Sequence, residues 1–280
     1  MKKSSLNPEI LFEDQDLLVI NKPGGVVVNS AVSVTGETLQ DWFADRQKTQ
    51  DLPADWSKQL PEDFSDEYGT PEEIYAQRQG MVHRLDKDTS GVMVFAKHPG
   101  SLISLLTQFK QRMVQKEYVA LVHGQFRVEQ GTLNSPLGRS RTDRQKFTIT
   151  VTGRPAVTQY RVKQTFSGFD WPNLENRLGE RAAELKKNKR FYEQGFSLVS
   201  CLPKTGRTHQ IRVHLAHEQH PLVGDIKYIG RKRARLDPLW CPRQFLHAAT
   251  LELTHPRTNK RARFEAKLAP ELSSVLDFLS

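Results

Sequence analysis

Apolar residues in this chain fall into short runs that glycine and proline cut off. Leu17-Leu18-Val19-Ile20 stops at Lys22-Pro23-Gly24-Gly25, after which Val26-Val27-Val28 resumes. Val92-Met93-Val94-Phe95-Ala96 lies between Gly91 and Pro99. Runs of this kind read as buried strands. Ile10-Leu11-Phe12 predicts one more, ahead of the polar turn Glu13-Asp14-Gln15-Asp16. Further strands are expected over Tyr118 to Val122, residues 156–166, Phe196 to Leu202, residues 245–254 and residues 261–268. Helices are fewer. Leu102, Leu105, Leu106, Phe109 and Met113 recur at helical spacing and predict a helix over residues 100–113. Another is expected from Arg207 to about Glu218. Strands outnumber helices without a βαβ rhythm, so the class is α+β, with a largely antiparallel mixed sheet and flanking helices. There is no internal repeat, and 280 residues suffice for one sizeable core or two small ones.

Charge is unevenly spread. The chain carries a net +9, yet residues 41–80 hold ten acidic and four basic residues, so the remainder carries +15. A basic excess of that size suits a polyanionic partner. The acidic stretch contains Trp42, Phe43, Trp56, Phe64, Tyr68 and Tyr75, which argue against disorder. It reads as an insertion, partly helical, packed on the body. Residues 170–194 read as a second insertion, charged and irregular, with the basic run Lys186-Lys187-Asn188-Lys189-Arg190. No apolar run approaches the length of a membrane span, and no apolar stretch follows the two lysines at the start. Cys201 and Cys241 are too few and too isolated for a disulfide framework or a zinc site, so a cytoplasmic chain with two reduced thiols is expected.

Three segments place polar chemistry next to buried strands. His83-Arg84-Leu85-Asp86-Lys87-Asp88-Thr89-Ser90-Gly91 puts a carboxylate at the mouth of a strand, where it can act as nucleophile or base. The same residues would equally make a capped turn. Thr205-Gly206-Arg207-Thr208-His209-Gln210-Ile211-Arg212-Val213-His214 would set His209 and Arg212 on one helix face. An arginine there could hold an aspartate ionised through a two-pronged grip, or lie on a solvated face. In Lys116-Glu117-Tyr118-Val119-Ala120 the tyrosine is either a core ring with its hydroxyl at the edge, or a ring that stacks on a base. His209, His214, His217 and His220 do not match a metal-binding pattern, so no metal is expected.

In order along the chain, these segments resemble the RluA-type family of RNA pseudouridine synthases. The resemblance rests on Asn21-Lys22-Pro23-Gly24-Gly25, on His83-Arg84-Leu85-Asp86 with Thr89-Ser90-Gly91, and on Lys116 to Ala120. It continues through Gly206 to His214, Pro221-Leu222-Val223-Gly224-Asp225, Leu246-His247-Ala248 and Thr254-His255-Pro256. It covers roughly residues 9–268.

The resemblance implies one catalytic domain over residues 8–280, with the pseudouridine synthase fold and a central RNA-binding cleft. It implies that Asp86 attacks the target uridine, that Arg212 pairs with Asp86, and that Tyr118 stacks on the uracil and takes the C5 proton. Arg84 would fill the space left by the flipped uridine. His83, Arg207, His209 and Lys22 would complete the RNA-facing set, with a structural role near the site as the alternative for Lys22. No cofactor is implied, since the isomerisation changes neither oxidation state nor composition. The substrate would be transfer RNA or ribosomal RNA. Many members carry an S4 domain ahead of the catalytic one, and here Pro8 lies only seven residues from the start, leaving no room for it. That, with a compact body, leans the choice toward transfer RNA. A monomer is the default. The competing readings are a non-catalytic RNA-binding relative, which loss of Asp86, Tyr118 or Arg212 would favour, and a metal-dependent aspartate hydrolase, which lacks its acidic cluster here.

Overall fold

The computed structural model describes residues 6–30, 34–47 and 52–280. The first half of the chain forms β1 (Glu9–Glu13), β2 (Leu17–Lys22), α1 (Leu39–Gln47), α2 (Pro71–Arg78), β3 (Ser90–Ala96), α3 (Pro99–Lys110), β4 (Gln115–His123), β5 (Gln130–Asn134), β6 (Leu137–Arg139) and β7 (Phe147–Ile149). The second half forms β8 (Val157–Phe166), α4 (Trp171–Leu178), α5 (Glu180–Lys187), β9 (Phe196–Pro203), α6 (Gln210–His217), α7 (Arg231–Leu236), β10 (Leu246–Thr254), β11 (Arg261–Glu265) and α8 (Pro270–Leu276). It divides into two compact units, residues 1–116 with 248–267, and residues 117–247 with 268–280.

In the first unit the strand order is β1-β2-β3-β10, with β11 on β10. The β1–β2, β2–β3 and β10–β11 pairs are antiparallel. Its core joins Leu17, Val19, Val92 and Val94 of the sheet to Leu102 and Leu105 of α3. Every residue of β3 is buried, as its unbroken apolar run requires. The acidic segment does pack on this body. Trp42 and Phe43 of α1 are buried, and Phe43 stacks on Phe95 at 4.5 Å between ring centroids. Val26-Val27-Val28 is not a strand. The carbonyls of Val27 and Val28 instead accept the N–H groups of Leu39 and Gln40, so that stretch fixes the start of α1.

In the second unit β4, β9, β8 and β5 pair antiparallel in that order, and β6–β7 form a separate hairpin. Residues 170–194 are not irregular but helical. Asp170 caps α4 by accepting the N–H of Asn173 at 3.2 Å, and Leu174, Ala182 and Leu185 bury at helical spacing in the aromatic core around Phe169, Phe196 and Trp240. The high charge of the exposed faces hides this periodicity from a reading of composition.

Two further boundaries shift. α3 ends at Lys110, because Arg112 adopts a left-handed conformation (φ 61°), which leaves Met113 exposed beyond it. α6 starts at Gln210 rather than Arg207, because His209 is left-handed (φ 56°). Cys201 and Cys241 are buried free thiols. No helix among the described residues is long and apolar enough to cross a membrane.

Candidate active site

In the first unit Asp86 sits in a turn closed by the Thr89 N–H, which donates to the Asp86 carbonyl at 3.1 Å. Lys22 holds this turn from below. Its side chain is fully buried, and Nζ donates to the carbonyls of Pro23 and Lys87, both at 2.8 Å. Lys22 stands opposite Gly91 in the β2–β3 register, so one antiparallel pairing brings the ammonium under the loop. Gly91 is left-handed (φ 116°), and a Cβ there would lie 2.1 Å from the Ala248 carbonyl oxygen. Only glycine allows β3 to start so close to β10.

His83 lies half-buried at the head of the same loop. Its Nε2 accepts the Val94 N–H at 3.1 Å, and its ring stacks on Phe109 at 4.9 Å. Burial, and after it the charge of Lys116, pulls its pKa down to about 3. Lys22 and His83 thus both anchor the loop through backbone hydrogen bonds. Leu85 points into the core, and Arg84 and Lys87 are exposed.

In the second unit Arg212 is buried on α6 and grips Asp225 by two hydrogen bonds, Nε to Oδ2 at 2.7 Å and Nη2 to Oδ1 at 2.8 Å. Its guanidinium lies 5.1 Å from the Tyr228 ring centroid, and the Tyr228 hydroxyl lies 2.6 Å from Nδ1 of His209. The left-handed backbone of His209 is held in place by a side-chain knot. Gln210 Oε1 accepts from the Thr205 hydroxyl at 2.7 Å and the Arg207 N–H at 3.0 Å, and its Nε2 donates to the Val157 carbonyl at 3.0 Å and the Thr158 hydroxyl at 2.9 Å. Arg207 itself donates from Nε to the Pro155 carbonyl at 3.2 Å. Tyr118 is half-buried on β4, opposite Cys201 of β9, and packs on the cluster that includes Ile211 and Leu215 of α6.

Asp225 is set in turn by Gly224, whose N–H donates to the Asp237 carboxylate at 2.9 Å. Nε2 of His123 at 2.8 Å and the Tyr192 hydroxyl at 3.0 Å meet the same carboxylate. Asp225 closes the Pro221-Leu222-Val223-Gly224-Asp225 motif, but nothing in the sequence marks it as the partner of Arg212. Tyr228 and Asp237 gave no signal at all.

The Thr254-His255-Pro256 motif lies in another polar cluster, in the first unit, where Asp14, Asp16 and His255 converge within metal-binding distance of one another. Their charge is met by protein groups. Arg257 donates to Asp16 from Nε and Nη2 at 2.8 and 3.0 Å, His98 Nε2 lies 2.8 Å from Asp16, and His255 Nε2 lies 2.8 Å from Asp14. Burial raises the Asp16 pKa, but hydrogen bonds from Arg257, His98 and Gln59 outweigh it and bring it down to about 2. Arg257 also binds Asp55 at 2.9 Å, which ties the acidic segment to this cluster.

The RNA pseudouridylate synthase family model matches residues 16–217, and the chain belongs to that family of enzymes. It is 35% identical to the uncharacterized RNA pseudouridine synthase YlyB of Bacillus subtilis over 97% of this chain and 72% of that protein. It is 34% identical to ribosomal large subunit pseudouridine synthase D of Pseudomonas aeruginosa over 97% of this chain and 71% of that one. Among solved structures it is similar in fold to human RNA pseudouridylate synthase domain containing 1, with a TM-score of 0.63 over 98% of this chain and 90% of that one at 24% identity. The human domain containing 4 protein gives 0.61 over 96% and 92% at 22% identity.

Proposed function

We propose that this protein isomerises specific uridines in structured RNA to pseudouridine, with Asp86 as the catalytic carboxylate. The N1–C1′ bond of the nucleoside breaks, C1′ joins C5, the C5 proton leaves and N1 gains one. Asp86 makes the glycosidic bond labile, Tyr118 stacks on the released uracil and takes the C5 proton, and Arg212 holds the carboxylate in its charged form. Arg84, exposed at the head of the loop, fills the gap left by the flipped base, whose extrusion costs a few kcal/mol. Arg207 and His209, beside the Arg212 helix, contact the RNA. The observation that supports it most is the Asp86 turn, which sets a half-buried carboxylate between exposed Arg84 and Lys87 on a frame held by Lys22, His83 and Gly91.

Large-subunit ribosomal RNA is the substrate we favour. The relatives named ribosomal large subunit pseudouridine synthase D, in Pseudomonas aeruginosa and Nitrosomonas europaea among others, support it over the transfer RNA that the compact body suggested. The test is tritium release from RNA labelled at uridine C5. The protein releases label from large-subunit ribosomal RNA and Asp86→Asn does not. Release from transfer RNA alone would reverse the substrate assignment, and release by Asp86→Asn would remove the mechanism.

A further inference from the structure

Two basic stretches far apart in sequence meet on one face of the second unit. α7 lies against the end of α5 and the turn that follows it. Arg233 anchors it by donating from Nε and Nη2 to the Phe191 carbonyl at 2.9 and 2.6 Å, and Arg235 Nη2 lies 3.3 Å from Glu184 Oε1. Arg233 is half-buried and spent on that contact. Lys187, Lys189, Arg190 and Arg231 are exposed and Lys232 partly so, and none of the five has a carboxylate partner among the described residues. The guanidinium of Arg190 lies over the Phe191 ring at 5.1 Å. Of the nearby carboxylates, Glu175 is taken by Lys186 and Glu184 by Arg235, so these five cations repel one another without a paired counter-charge.

We infer that this face binds the phosphodiester backbone of the substrate RNA, an inference that rests on the proposed RNA-modifying function. The helices of residues 170–194 then serve as an RNA platform. A lysine gives a point charge suited to a phosphate oxygen, and an arginine adds a fork for two of them. Such contacts position the strand without reading its sequence.

The test uses the full chain carrying Lys187→Glu, Lys189→Glu, Arg231→Glu and Lys232→Glu, with Arg233 and Arg235 kept because they hold α7. Its probes are large-subunit ribosomal RNA and unfractionated transfer RNA. Affinity at about 0.1 M KCl falls at least tenfold, the slope of log K against log salt becomes shallower by about two to three, and kcat at saturating RNA stays within about twofold. The four glutamine replacements give a smaller loss in the same direction, and an unchanged melting temperature shows that both variants are folded. A control with Lys58→Glu and Arg78→Glu, on the acidic segment, loses less than a third as much of the slope as the quadruple variant. Affinity and slope equal to wild type in the folded variants overturn the inference, as does a loss of kcat with affinity intact. The two proposals fail separately. If wild type forms no pseudouridine yet the variants still lose salt-dependent RNA binding, this surface stands and the catalytic reading falls. If pseudouridine forms with identical kinetics in wild type and variant, only the surface falls.

Discussion

Arg212 and Asp225 are locked face to face inside the second unit, both buried, their two hydrogen bonds at 2.7 and 2.8 Å. The planar fork of the guanidinium is thereby fixed in orientation before any RNA arrives, which is the condition for it to act on a second carboxylate without reorganising. Asp225→Asn leaves the arginine buried with half its partner, at a cost of about 3–5 kcal/mol of stability. Where the variant folds, kcat falls at least about tenfold with RNA affinity unchanged. Arg212→Lys keeps the charge and loses the fork, and its activity falls further still. Thermal melts and single-turnover kinetics check both.

Lys22 is predicted to act through the loop and not on RNA. Lys22→Met fills the space but leaves the Pro23 and Lys87 carbonyls without their donor, which costs about 1–3 kcal/mol. The Asp86 turn loosens, so kcat drops while RNA affinity and its salt dependence stay as in wild type. A variant that instead loses RNA affinity at full kcat would make Lys22 a direct phosphate contact.

The neutral state of half-buried His83 gives stability a pH dependence. Its pKa in the fold is lowered to about 3, below its ordinary value near 6.5. The unfolded chain therefore binds the proton first as pH falls. The stability tied to neutral His83 is whole above pH 6.5 and is lost progressively toward pH 3, at up to about 1.4 kcal/mol per pH unit. His83→Gln removes that slope. Denaturant melts of the two proteins across this range measure it, and parallel curves would show that His83 titrates normally.

Gly91→Ala is predicted to be the most damaging single-methyl change in the first unit. Its Cβ would sit 2.1 Å from the Ala248 carbonyl oxygen, on backbone that cannot move without separating β3 from β10. Expression as soluble protein, followed by a melt where any is obtained, checks it. A loss of under about 1 kcal/mol would mean the strands can separate at little cost.

The sequence made the strands legible where apolar runs met glycine or proline, because burial on both faces leaves few polar residues to blur the pattern. β2 and β3 are the clearest cases. It concealed α4 and α5, whose charged faces mask Leu174, Ala182 and Leu185, and it missed α7 and α8, which are short and lie in polar surroundings. The Asp86, Tyr118 and Arg212 segments stood out as polar chemistry beside strands. Their support did not, because pairing between Arg212 and Asp225, or between Lys22 and the Lys87 carbonyl, is decided by the path of the chain in space and leaves no trace in local spacing. Nor did motif position show that Lys22 Nζ donates to the Pro23 and Lys87 carbonyls, or that His83 Nε2 accepts the Val94 N–H.

The proposed conversion of uridine to pseudouridine through Asp86 is tested most directly by pseudouridine mapping of total RNA from cells that lack this gene, complemented with wild type or with Asp86→Ala. We predict that at least one site in large-subunit ribosomal RNA is lost on deletion, returns with wild type and stays absent with Asp86→Ala. A site restored equally by Asp86→Ala, or no change in any RNA, would contradict the account.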